Sequence, residues 1–282
     1  MFSKHLESLK SFLAKDNQTD RATRSEPALK LVEVRKGIKP SIIIINGFLS
    51  KKSEDVSDWL EVVDELYPHN EVLHARWNAG DLTSIATDSG LVPERTEMLA
   101  TKSIQMSVFD ALSTATGQWK NAFHESNQVG VELAAELEGN ESLHGAILMG
   151  HSLGARVVRH TLAELDKPVV SVAYLLAGAV SSEQGEWLEI FKKHPETKFI
   201  NCMSQNDLVL KNAYPMGCLF DHEPAGLTPL CEENCINLLN LDVTEYADGH
   251  SDFKQKKIGQ YLKKELVKLD QSKIEERSLS LV

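Results

Sequence analysis

One stretch restricts the fold of this chain more than any other: an apolar run from Ala146 to Met149, then Gly150-His151-Ser152-Leu153-Gly154, then a helical run to Leu165. Five residues in the order G-x-S-x-G recur by chance. Here they join an apolar strand to a helix, the context in which a strained turn lifts a serine hydroxyl. In so tight a turn the two backbones nearly touch, and side chains at Gly150 and Gly154 would collide. Ser152 is then expected in a strained conformation at the helix amino end. A structural strand-glycine-helix turn with an ordinary serine is the alternative.

The rest of the chain supplies a sheet for that turn. Leu31 to Lys36, Ser41 to Asn46, Glu71 to Trp77, Leu143 to Met149, Val169 to Leu176, Lys198 to Met203 and Cys235 to Val243 read as strands. Ile42, Ile43, Ile44 and Ile45 are apolar on both faces, as a central strand of a covered parallel sheet must be. Helical runs near 53–67, 153–166, 183–193 and 251–268 alternate with them, so a doubly wound α/β domain over 27–270 is expected. In front lies an amphipathic arm and linker, 1–26, with Phe2, Leu6, Leu9 and Leu13 at helical spacing. Behind lies a polar tail, 271–282. Residues 93–139 form a helical insertion, either a lid or helices covering one sheet face.

A serine hydroxyl is a weak nucleophile at neutral pH, so Ser152 requires a base and an acid downstream in the order acid, then histidine. Asp207 follows the strand ending at Met203, and His250 follows the last strand. Ends of strands on one sheet edge converge in space. Asp242 and Asp248 are rivals for the acid, and His222 and His151 for the base. One oxyanion donor is the backbone amide of Leu153. The second should come from the loop Asn46-Gly47-Phe48-Leu49, with the amide of Phe48 preferred to that of Leu49. A sharp turn without a ligand is the alternative for that loop.

With a formal charge of -11 the chain has no basic surface for nucleic acid. The longest apolar run, Val169 to Val180, is too short to span a membrane and is broken by Ser171. Peripheral membrane contact through a local patch stays compatible with this. Cys202, Cys218, Cys231 and Cys235 form no C-x-x-C pair, and the start resembles no export signal, so a cytoplasmic location is expected. Cys218, His222, Cys231 and Cys235 depart from the paired spacing of zinc knuckles and read better as reduced cysteines in a long loop.

GHSLGARVV, SQNDLVL and ADGHSDF, with IIIINGFLS and DWLEVVDELY, resemble a poorly characterised α/β-hydrolase-like family that includes eukaryotic transmembrane and coiled-coil domain-containing proteins. The resemblance covers Ser41 to Leu266. It implies an α/β-hydrolase fold in which Ser152, Asp207 and His250 match the triad, with no settled substrate. Family members often carry hydrophobic membrane segments near the insertion, whereas here Lys120, His124, Glu125 and Glu132 interrupt it. A membrane role therefore does not carry over.

The expected activity is that of a serine esterase or lipase-like hydrolase acting on a small-molecule or lipid ester, with no metal or organic cofactor. The rival expectation is a non-catalytic scaffold of the same fold that binds a protein or membrane partner.

Overall fold

The computed structural model describes residues 28–48, 55–79, 116–217, 223–231 and 235–279. Its strands are β1 (Leu29–Arg35), β2 (Ile38–Ile45), β3 (Asn70–Trp77), β4 (Ala146–His151), β5 (Val170–Leu176), β6 (Lys198–Met203) and β7 (Leu238–Asp242). Its helices are α1 (Ser57–Leu66), α2 (Thr116–Gly139), α3 (Leu153–Glu164), α4 (Gln184–Lys193), α5 (Leu208–Gly217) and α6 (Lys256–Leu279).

Among the described residues the strands form one seven-stranded sheet in the order β1-β3-β2-β4-β5-β6-β7. β1 runs antiparallel to β3, and every other neighbour is parallel. The side chains of Ile42 to Ile45 are fully buried, as a strand covered on both faces requires.

Strand order decides where a ligand would sit. The chain steps from β2 to β3 in one direction, then returns past β2 to β4 in the other. Parallel crossovers are right-handed, so α1 covers one face while α2, α3 and α4 cover the opposite one. The helix contacts agree: α1 packs along α6, and α2 along α3. The reversal falls between β2 and β4, and in open sheets of this kind ligands bind at the strands' carboxyl ends at such a point. This sheet, with its G-x-S-x-G turn between β4 and α3, is the α/β-hydrolase fold.

Several boundaries differ from the sequence expectation, each for a local reason. The strand expected from Leu143 begins at Ala146, because Glu141–Leu143 forms a 3-10 turn capped by Asn140 Oδ1 on the amide of Ser142. Leu208–Gly217, absent from the expected helical runs, is a helix that Asp207 caps through its side chain. The last helix begins at Lys256 rather than Ser251 and runs to Leu279, through most of the segment set apart as a polar tail. Its sequence there holds Gln271, Lys273, Glu275, Glu276, Arg277 and Leu279, good helix formers even without an apolar stripe.

Within the insertion, Val129, Leu133 and Leu137 of α2 are fully buried, and this helix packs on α3. The remainder of the insertion, 93–115, and the arm at 1–26 lie outside the described residues. No helix among the described residues is long and apolar enough to cross a membrane.

Candidate active site

Ser152 stands at the turn between β4 and α3 with φ 56° and ψ -121°. A non-glycine residue there carries on the order of 1–3 kcal/mol of strain, which its surroundings must hold. They do so through the main chain. The Ser152 amide donates to the Leu176 carbonyl at 3.0 Å, and its own carbonyl accepts from the amides of Ala155 (3.1 Å) and Ala179 (3.0 Å).

Glycine is required around it for want of room. A Cβ on Gly150 would lie 2.5 Å from the Gly154 carbonyl oxygen, and one on Gly154 would run into the carbonyl of Ile45. Gly47, in the loop after β2, would bring its Cβ within 2.6 Å of Ser152 Cβ. The loop expected to supply an oxyanion donor therefore lies directly against the serine. Leu153 is buried, and its amide belongs to the first turn of α3, where helix amides have no acceptor within the helix. Phe48 is half-buried against the core, and Leu49 falls outside the described residues.

Asn46 anchors that loop from below. Its Oδ1 accepts from Trp59 Nε1 at 2.6 Å, and its carbonyl accepts from Trp77 Nε1 at 3.0 Å. Its Nδ2 lies 3.4 Å from His74 Nε2. An amide nitrogen only donates, so Nε2 is the bare acceptor and His74 the Nδ1–H tautomer. Burial, helped by the charges of Arg76 and Lys254, pushes the His74 pKa down to about 4, so the neutral acceptor persists at neutral pH.

Asp207 and His250, each in a loop that follows a strand, lie in contact. His250 Nδ1 lies 2.7 Å from Asp207 Oδ2, and the Asp207 side chain is fully buried. A carboxylate only accepts, so Nδ1 carries the proton and Nε2 is left as the acceptor. The other carboxylate oxygen of Asp207 caps α5 by accepting from the Leu210 amide at 2.9 Å. One aspartate therefore closes a helix and orients an imidazole. His250 in turn approaches the elbow: its ring centroid lies 4.8 Å from that of His151.

The polar residues preceding Asp207 hold its loop to the histidine loop. Ser204 Oγ donates to the Ala247 carbonyl at 3.0 Å, Asn206 Nδ2 to the Thr244 carbonyl at 3.0 Å, and the Gln205 amide to Thr244 Oγ1 at 2.9 Å. Sequence reasoning took Asp207 from this run and missed its neighbours. No local signal pointed to these bonds, because their partners lie about forty residues further along the chain.

The rival acids are engaged elsewhere. Asp242 Oδ1 accepts from the Thr244 amide at 2.9 Å, and Asp248, exposed, lies 3.8 Å from Lys257 Nζ. His222 and Cys218 lie outside the described residues. Cys231 and Cys235 bring their sulfurs to 3.2 Å, and among the described residues no group of three or more His, Cys, Asp or Glu could hold a metal ion.

A family model described as a protein of unknown function, DUF726, matches residues 28–267. Among curated proteins, the transmembrane and coiled-coil domain-containing protein STS1 of Oryza sativa is 32% identical over 141 residues, 48% of this chain and 21% of that protein. An uncharacterised membrane protein of Schizosaccharomyces pombe is 24% identical over 241 residues, 76% of this chain and 29% of that protein. The chain thus spans less than a third of the length of either relative. Among solved structures, mouse alpha/beta hydrolase domain-containing protein 10 is 14% identical with TM-score 0.43, covering 89% of this chain and 97% of that one. Zea mays acyl-protein thioesterase 2 is 12% identical with TM-score 0.42, covering 84% and 98%. Likenesses this distant add no weight to the fold, which rests on the strand order and the elbow.

Proposed function

The chain belongs to the DUF726 family, a family of unknown function, and from that premise we propose that its site is that of a serine hydrolase cleaving a carboxylic ester. The observation that carries the reading is the fully buried Asp207 holding His250 at 2.7 Å, beside an elbow whose Ser152 has φ 56°. Strain of that kind persists only where the surroundings hold it, and it gathers at functional sites.

In this mechanism Ser152 Oγ attacks the ester carbonyl while His250 Nε2 takes its proton. The negative charge that develops on the carbonyl oxygen is stabilised by the amides of Leu153 and Phe48. His250 then gives the proton to the departing alcohol, leaving an acyl group on Ser152. Water, deprotonated by the same imidazole, releases the acid and restores the serine. Asp207 keeps the proton on Nδ1 and stabilises the imidazolium, without itself being protonated. Ester rather than peptide cleavage follows the commonest use of this elbow, an analogy from fold.

Labelling by a fluorescent fluorophosphonate tests the reading without knowledge of the substrate. Wild-type protein is expected to label, Ser152→Ala to lose the label entirely, and His250→Ala to lose most of it. A folded wild type that resists the probe and hydrolyses no p-nitrophenyl ester would favour the scaffold reading instead.

A further inference from the structure

A side chain that this chemistry does not use joins the elbow to the histidine loop. His151, immediately before Ser152, is 8% exposed, and its Nε2 lies 2.7 Å from the backbone carbonyl oxygen of His250. A carbonyl only accepts, so Nε2 carries the proton and the neutral ring leaves Nδ1 bare. The two rings are tilted by 50° with centroids 4.8 Å apart. Burial, with His250 and Lys254 close by, pushes the His151 pKa well below the ordinary histidine range. Its ring stays uncharged at neutral pH.

We propose that His151 is a positioning residue, which fixes the backbone of His250 to the elbow. The inference rests on the serine-hydrolase reading above. His250 sits in a loop between β7 and α6 and has to satisfy two directions at once, Nδ1 toward Asp207 and Nε2 toward Ser152. The bond to Asp207 fixes one point of the ring and leaves rotation about that point. A bond from the elbow to the histidine's own carbonyl removes that freedom, because it ties the backbone carrying His250 to the residue next to the nucleophile. A misplacement of about 1 Å in such a constellation lowers rate on the order of 100-fold. The neutrality of His151 matters as well: a cation at that position would oppose the charge that forms on His250.

The test compares His151→Leu, which removes the donor at similar size, with His151→Gln, whose Nε2 can donate to the same carbonyl. With a p-nitrophenyl ester, His151→Leu is expected to lower kcat about 30-fold with KM changed less than about twofold, and His151→Gln to return to within about fivefold of wild type. Fluorophosphonate labelling rates should follow kcat. A folded His151→Leu with wild-type kcat, or a His151→Gln as impaired as the leucine variant, would overturn the proposal.

Should the leucine variant not fold, nitrogen-15 NMR of the wild-type imidazoles decides. His151 is expected as the neutral Nε2–H tautomer down to about pH 6, where an ordinary histidine is largely protonated. An Nδ1–H tautomer or an imidazolium there would overturn the proposal. A wild type that labels normally while both variants match it defeats this inference alone. A wild type that neither labels nor hydrolyses defeats the hydrolase reading, and with it the role of His151, whatever the NMR shows of the contact.

Discussion

The Ser152 side of the candidate site and the Asp207–His250 side are held by opposite means. Around Ser152 the fit depends on missing side chains: Gly47, Gly150 and Gly154 let three backbone segments approach until no Cβ has room. The main chain then makes the bonds. Around Asp207 and His250 the fit depends on side chains that are present, with Ser204, Asn206 and Thr244 tying two loops together through backbone partners. Close approach of backbones is intolerant of any substitution, whereas a set of parallel side-chain bonds loses one member at modest cost. The first region should therefore fail abruptly and the second by degrees.

The largest effect should come from Asp207→Asn. It leaves a capping oxygen for α5 but misplaces the imidazole proton, so kcat should fall on the order of 1,000- to 10,000-fold while the denaturation midpoint barely moves. An equal loss of stability would mean that this aspartate is chiefly a helix cap. Gly154→Ala comes next, because its Cβ meets the Ile45 carbonyl. Urea unfolding should show a loss of about 3 kcal/mol, and a loss under about 1 kcal/mol would break the contrast between the two regions.

Asn46→Leu strands the indole N–H of Trp59 and should cost about 2 kcal/mol, with tryptophan fluorescence shifting as the loop loosens. On the other side, Ser204→Ala should cost only about 1 kcal/mol, since Asn206 still reaches Ala247 at 3.3 Å. A pH dependence of stability should accompany these effects. His74 is held near pKa 4, below its unfolded value of 6.5, so the unfolded chain takes up the proton first as pH falls. His151, His160 and His194 shift in the same direction. Stability should be flat above about pH 7 and decline from about 6.5 toward 4. A flat curve through that window would show these rings exposed in the folded state.

The same contrast explains what the sequence disclosed. The elbow was legible because glycine spacing is a covalent fact: Gly150, Ser152 and Gly154 must stand two apart whatever the surroundings. The pairing of Asp207 with His250 could be anticipated from chain order, which the topology imposes on strand ends. The bonds of Ser204, Gln205 and Asn206 were not legible, since their partners at Thr244 and Ala247 lie about forty residues away and leave no local pattern. The anchor at Asn46 was hidden for a like reason. Trp59 lies in the helical run near 53–67 and is fully buried, but nothing in such a run says where an indole nitrogen will point. Elements showed the same split: β6 has the expected bounds, Lys198–Met203, because its apolar run ends sharply. α5 went unseen because its cap was read only as an acid.

The bonds from Ser152 to Leu176 and Ala179 fix the backbone that carries the Ser152 hydroxyl through the main chain alone. On the proposed reading, an incoming ester forfeits little free energy to organising that backbone. On the same reading, discrimination between esters falls to the loops above the sheet rather than to the elbow beneath them.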